Sequence, residues 1–401
     1  MSKWQTLSLG EFAESVDYGV TASAQLEPKG FKFLRITDIQ NGTVDWDSVP
    51  WCECDLPLAK EAQLKAGDIV FARTGATTGK SYLISKCPSD SVFASYLIRV
   101  RVGEKVHPNY VSHFFQTPEY WAQITSGARG VAQPGVNATT LKSIKVPLPI
   151  LEEQRRIAAI LDRAEALRAK RRATISQVDT LSQSIFLELF GDNRYQTPVT
   201  IGNQLHDHPQ GWQWELLTEV ARLATGHTPD RSRPDYWSGD TPWITLTEIR
   251  QFDGKTVSET AENITSNGLA NSSAVKLPAG TVCFSRTASV GFVTVMGREM
   301  STSQDFVNWV CGPRLEPVYL MHALLNSRER LRSLSTGSTH KTIYFSTVEQ
   351  FRVLVPPLPL QRQFVERVSA LESLKKQHHA SLNDMNSLFA SLQHRAFRGE
   401  L

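Results

Sequence analysis

The chain has 401 residues, 41% of them hydrophobic, enough for two or three domains with real cores and too many for wholesale disorder. Its net charge of +3 and pI near 8.5 do not by themselves identify a nucleic-acid binder, because a local basic groove counts for more than the total. Five scattered cysteines (Cys52, Cys54, Cys87, Cys283, Cys311), an odd number, argue against a disulfide framework and fit a reducing cytosol. The start Met1-Ser2-Lys3-Trp4-Gln5 has no apolar signal core and no run of 18 apolar residues occurs, so the expected location is cytoplasmic.

In chain order, residues 1–150 read as a globular region of short β-type runs, such as Ile69-Val70-Phe71-Ala72 and the continuous run from Val92 to Val100. Gly, Pro, Asn and Asp punctuate these runs as turns would. A helical stretch follows over 110–123, then Pro147-Leu148-Pro149, which leads into a long helix over 151–190. Glu152 and Glu153 sit where the helix dipole favours carboxylates. A polar linker, 191–209, precedes a second globular region, 210–358, with its own helical stretch over 318–334, and a second long helix over 359–401.

The second half repeats the first. Phe33-Leu34-Arg35-Ile36-Thr37-Asp38-Ile39 matches Trp243-Ile244-Thr245-Leu246-Thr247-Glu248-Ile249, and Gly67-Asp68-Ile69-Val70-Phe71-Ala72-Arg73-Thr74 matches Gly280-Thr281-Val282-Cys283-Phe284-Ser285-Arg286-Thr287. Pro108-Asn109-Tyr110 matches Pro317-Val318-Tyr319, and Pro147-Leu148-Pro149 matches Pro357-Leu358-Pro359. The offsets are 210, 213, 209 and 210 residues, far longer than a solenoid repeat, so the unit duplicated is a domain plus a helix.

Residues 151–190 contain neither proline nor glycine, and forty residues of helix would extend about 60 Å. Seven-residue spacing gives the line Ile157, Ala164, Arg171, Val178, Ile185 and a companion line Ile160, Leu167, Thr174, Leu181, Glu188. The second helix gives Phe364, Leu371, His378, Met385, Leu392 with Val368, Lys375, Leu382, Phe389, Ala396. Mostly apolar lines of this kind predict a coiled coil whose seam turns polar mid-way. The run Arg168-Ala169-Lys170-Arg171-Arg172 is either a contact for DNA or a partner, or a solvated face.

Two globular regions alternating with two long helices, each helix preceded by Pro-Leu-Pro and carrying a Gln-Arg pair (Gln154-Arg155, Gln361-Arg362), resemble the specificity subunits of type I restriction–modification systems. The stretch Gly130…Gln133-Pro134-Gly135-Val136-Asn137 and the closing Ala396-Phe397-Arg398-Gly399-Glu400-Leu401 carry the same resemblance. It implies an α+β fold: two tandem target recognition domains alternating with two spacer helices that pair as an antiparallel coiled coil, with pseudo-twofold internal duplication. It implies a DNA-binding scaffold of a restriction and DNA-modification system, reading one half of a bipartite double-stranded DNA site per domain. The implied partners are methyltransferase (modification) subunits, expected to number two, and restriction/translocase subunits. S-adenosylmethionine, ATP and Mg would belong to those partners. The assembled complex would be a type I site-specific deoxyribonuclease and adenine-N6 DNA methyltransferase, while this chain has no active site.

The residues agree with a non-catalytic chain. Gly75-Ala76-Thr77-Thr78-Gly79-Lys80-Ser81 is one residue short of a phosphate loop, and the second copy lacks the lysine. It reads instead as a loop near a DNA phosphate or as a hairpin turn. Cys52-Glu53-Cys54 has no second cluster at zinc spacing, and His206-Asp207-His208 lies in the linker, so no metal is expected. No Gly-x-Ser-x-Gly, His-Glu-x-x-His or Asn/Asp-Pro-Pro-Tyr/Phe motif occurs.

Base and phosphate contacts need Arg, Lys, Asn, Gln, Ser, Thr and glycine at loops and strand ends. Three places in each copy qualify: Arg35, Thr37, Asp38 with Thr245, Thr247, Glu248; Arg73, Thr74, Gly75, Lys80 with Arg286, Thr287, Ser289; and Arg129, Gly130, Gln133, Asn137 with Gly337, Ser338, Thr339, His340, Lys341. Arg73 and Arg286 rank first, because each follows an apolar strand and precedes a small-residue loop. Two other readings compete: a duplicated coiled-coil interaction module without DNA specificity, and a single-chain nuclease or methylase.

Overall fold

The structure, a computed structural model, describes residues 3–40, 42–127, 135–191, 200–201, 212–337 and 341–401. Contacts group the chain into two units, residues 1–173 with 379–401, and residues 174–378. The first long helix, Leu151–Phe190, therefore begins in one unit and ends in the other, and the second, Leu358–Arg398, does the reverse.

Each unit is an α+β domain built the same way. In the first, the strands Ala13–Tyr18, Leu97–Val102, Ile69–Ala72 and Ser81–Leu83 lie in that order in one antiparallel sheet. In the second, Ala221–Thr225, Phe306–Cys311, Val282–Ser285 and Val293–Met296 repeat the order, and Thr256–Val257 adds a parallel edge strand. The register repeats as well: Ile98 faces Phe71 in one sheet and Val307 faces Phe284 in the other. Strands with every residue buried, such as Ile69–Ala72 and Val282–Ser285, explain why both read as unbroken apolar runs.

The run from Val92 to Val100 is not one strand. It divides into Ser91–Phe93, which pairs with Phe31–Leu34, and Leu97–Val102 in the larger sheet. The three residues between form a turn closed by Leu97 N–H to Ala94 O at 2.9 Å. The helical stretches also differ from expectation, each being two helices. Pro108–Phe114 is followed by Pro118–Gly127, because proline has no N–H to continue the ladder and disfavours helix before it. Pro317–Asn326 and Arg328–Arg332 are separated at Ser327.

Two repeated polar locks fix each domain to the start of its long helix. Buried Gln154 accepts from His107 N–H at 2.8 Å and donates to Pro149 O at 2.8 Å and Lys105 O at 3.3 Å. Buried Gln361 does the same with Glu316 N–H at 2.9 Å, Pro356 O at 2.8 Å and Arg314 O at 3.0 Å. Tyr110 and Tyr319 donate their hydroxyls to Pro147 O and Leu354 O at 2.7 and 2.8 Å. The glutamine of each Gln-Arg pair is thus a latch satisfying buried backbone groups.

Within each unit the helix segments run antiparallel. In the first, Arg168 bonds Asn386 at 2.8 Å while Arg156 reaches Leu401 O at 2.9 Å. In the second, Lys375 pairs with Asp179 at 2.5 Å and Arg367 with Glu188 at 3.7 Å. Phe364, Val368, Phe389 and Ala396 are buried, and Leu371, Leu382, Met385 and Leu392 half-buried. On the first helix Ile157 and Val178 are buried and Ile185 half-buried, but the companion line is corrected. Leu167 and Leu181 are exposed at 50% and 42%, while Ile160 is half-buried like Ile185. Buried Leu161 and Ile175 take that place, four residues after Ile157 and Arg171 rather than three. The leucines at 167 and 181 share the seven-residue spacing yet lie outside the packed stripe.

Candidate nucleic-acid interface

The strand-end arginines stand where loops converge. Arg73 follows strand Ile69–Ala72. Its N–H donates to Tyr96 O at 3.1 Å and its carbonyl accepts from Val136 N–H at 3.0 Å. Arg286 follows Val282–Ser285, donates to Asp305 O at 2.9 Å and accepts from Ile343 N–H at 2.9 Å. Each arginine is therefore held between the turn joining the two sheets and the loop leading to the last short helix of its domain.

Two further segments join this point in each copy. Ala94 N–H donates to Leu34 O and Ser303 N–H to Ile244 O, both at 3.0 Å, which ties in the segments carrying Arg35 and Thr245. The chain after the first sheet strand passes so close to the turn that only glycine fits. A Cβ on Gly19 would lie 2.1 Å from Phe93 O, and one on Gly226 2.2 Å from Ser303 O.

The side chains at these equivalent points differ between copies. Arg73 is exposed and its guanidinium stacks over Tyr18 at 5.1 Å, whose hydroxyl accepts from Ala138 N–H at 3.0 Å. Tyr18 and Tyr96 are 43% and 38% exposed. Arg286 is half-buried, stacks over Phe345 at 4.5 Å and donates through Nη2 to Gln304 O at 3.1 Å. Burial lowers its pKa, against the attraction of Asp305. Asp305 in turn accepts from Thr287 Oγ1 and, at 2.9 Å, from Ser303 Oγ.

The remaining sequence candidates fall into distinct groups. Thr37, Thr74, Gly75, Lys80, Thr247 and Lys341 are exposed. Arg35 is half-exposed and forked onto Asp38 at 2.7 and 3.1 Å, a hydrogen bond that raises its pKa despite burial. Ser289 is half-buried, its carbonyl accepting from Ser285 Oγ at 2.5 Å. Gly337 has a φ of +108°. Two candidates are corrected. Thr245 and Glu248 are buried instead of facing a groove, and Glu248 accepts from Ala261 N–H at 2.9 Å. Asn137 is exposed and is the N-cap of helix Ala138–Ser143, its Oδ1 accepting from Thr140 N–H at 2.8 Å. Arg129, Gly130, Gln133, Ser338, Thr339 and His340 lie outside the described residues, as do His206, Asp207 and His208.

The segment from Gly75 to Ser81 is a hairpin turn between antiparallel strands, with Thr78 Oγ1 donating to Gly75 O at 2.7 Å. A phosphate loop runs into a helix and this one runs into a strand, so the backbone cradle is missing. Among the described residues all five cysteines are free and no three His, Cys, Asp or Glu side chains converge. No helix among them is long and apolar enough to cross a membrane. Sequence reasoning missed Tyr18, Tyr96, Gln304 and Asp305. The signal available was the pair Gly19 and Gly226, one in each copy beside the turn.

Comparison with known proteins gives a consistent picture. A family model described as the type I restriction modification DNA specificity domain matches residues 1–177 and again 209–384. The chain is 25% identical over 389 residues to the type I restriction enzyme StySPI specificity subunit of Salmonella potsdam, covering 92% of this chain and 82% of that one. It is 27% identical over 177 residues to the MjaIX specificity subunit of Methanocaldococcus jannaschii, a match spanning 42% of this chain and 41% of that relative. The fold resembles the crystal structure of a type I restriction–modification S subunit from M. genitalium with a TM-score of 0.57 at 12% identity, covering 99% and 96% of the two chains.

Proposed function

Because the chain belongs to the family of type I restriction–modification DNA specificity proteins, with two specificity domains in tandem, we propose that each domain reads one half of a bipartite DNA site through its converging loops. The observation that carries this reading is the repetition of one construction: a strand-end arginine clamped between the same two loops, beside a glycine that lets a third approach. One backbone construction surrounded by different side chains, Tyr18 and Ser95 in one domain and Phe345 and Gln304 in the other, is what two different half-sites require.

The chain supplies recognition and assembly, and the chemistry belongs to other subunits. Methyltransferase subunits would bring S-adenosylmethionine, and restriction/translocase subunits ATP and Mg, to form a site-specific deoxyribonuclease and adenine-N6 methyltransferase. The docking surfaces for those subunits are expected on the exposed faces of the two long helices, outside the packed stripe. Binding of duplex DNA by the chain co-expressed with its methyltransferase subunit, measured over a salt series, tests the reading. Affinity should fall steeply and linearly in log–log form, by about 0.9 per phosphate neutralised. Salt-independent or absent binding would favour a coiled-coil interaction module instead.

A further inference from the structure

The clamped arginine is common to both domains, but its guanidinium has different surroundings in each. Arg73 is exposed and meets only the ring of Tyr18 among the described contacts. Arg286 lies half-buried against Phe345 with its Nε shut away from solvent, and donates from Nη2 to the Gln304 carbonyl. Gln304 occupies the middle of the turn between the two sheets, where the first domain has Ser95; the flanking bonds, Ala94 to Leu34 and Ser303 to Ile244, are the same. Its side chain is exposed, and its Oε1 accepts from Thr228 Oγ1 at 2.5 Å. Thr228 lies just after Gly226, the residue that lets the two loops touch.

Two anchors thus fix Gln304, Arg286 on its backbone carbonyl and Thr228 on its carboxamide oxygen. One Oε1 lone pair and both Nε2 hydrogens remain available. A donor and an acceptor side by side on a held carboxamide match the N7 acceptor and N6 donor that adenine shows in the major groove. A loose glutamine would lose rotamer freedom on binding, and this one is already oriented.

We propose that Gln304 is a base-reading residue of the second domain, specific for adenine, and that Arg286 is its positioning residue and not a reader. The inference rests on the DNA-recognition reading above and assigns the chemistry of one position within it. In the first domain Ser95 stands at Gln304's place, and the reading group is the neighbouring exposed Arg73, whose fork suits guanine.

The test uses the full chain co-expressed with its methyltransferase subunit, with the modified adenines and their flanking sequence mapped on a randomised DNA library. Gln304→Ala should reduce preference for adenine at one position of one half-site by about 5- to 150-fold, leaving the other half-site intact. Gln304→Glu should move that preference towards cytosine, whose N4 donates. Arg286→Ala should relax the same position, and adding it to Gln304→Ala should relax nothing more. An unchanged motif in Gln304→Ala would overturn the proposal, as would a second, separate position relaxed by Arg286→Ala. A wild-type complex that modifies no split site would overturn the underlying reading, and this inference with it.

Discussion

Replacing Gln361 by leucine tests the latch between the second domain and its helix. The side chain is fully buried and makes three hydrogen bonds, to Glu316 N–H, Arg314 O and Pro356 O. Leucine nearly conserves volume, so the loss is one of polar satisfaction and not of a cavity. An unsatisfied buried backbone group costs about 1–3 kcal/mol, and carbonyls keep a second lone pair, so the sum should be about 3 kcal/mol. That corresponds to roughly a 150-fold rise in local opening. Hydrogen exchange followed through 313–361 reads it directly. Peptides covering helix Pro317–Asn326 should lose protection, while the equivalent junction in the other domain, 105–154, should keep it. A cost below about 1 kcal/mol, or an equal loss at both junctions, would refute the latch.

Two other perturbations follow from the packing. His322 packs against both Phe186 and Phe364, with ring centroids 6.5 and 5.1 Å away, and burial lowers its pKa to about 4. Between about pH 6.5 and 4 the unfolded chain binds a proton that the folded one refuses, so this stability is intact above 6.5 and shrinks by up to about 3 kcal/mol on acidification. Urea midpoints across that range should fall in the native protein and flatten in His322→Phe; parallel slopes would contradict the burial argument. Leu161→Ala, at a fully buried position, should cost about 2–5 kcal/mol, whereas Leu167→Ala, at 50% exposure, should stay within about 0.5–1 kcal/mol. Denaturation midpoints giving the reverse order would return Leu167 to the seam.

The duplication was legible because fully buried strands keep the same kinds of residue in both halves, and the Pro-Leu-Pro lead-in and the buried Gln keep the same letters. The second helix's seam was legible for a similar reason: apolar residues four apart, such as Phe364 and Val368, are both buried. On the first helix, Leu167 and Leu181 are as apolar as Leu161 and Ile175 and equally periodic. Spacing alone cannot distinguish a packed stripe from an exposed one. The run around Ser95 read as one strand because strand-forming residues flank Ala94-Ser95 and no Gly or Pro marks the turn; the change of sheet is fixed by pairing with Phe31–Leu34 and Ile69–Ala72, distant in sequence. That turn carries the residues that differ between domains, so the most informative part of the site was hidden in an apparent strand. Thr245 and Glu248 looked like groove-facing polar groups, and tertiary packing buries both, with Glu248 bonded to Ala261 N–H thirteen residues away.

The central claim is that two halves of one chain each read their own half-site, and mapping methylated adenines made by the complex carrying Arg73→Ala tests it most directly. The native motif should consist of two specified blocks separated by unspecified bases, and in the variant relaxation should be confined to one position of one block. A single contiguous motif, or relaxation of both blocks by this one substitution, would contradict it.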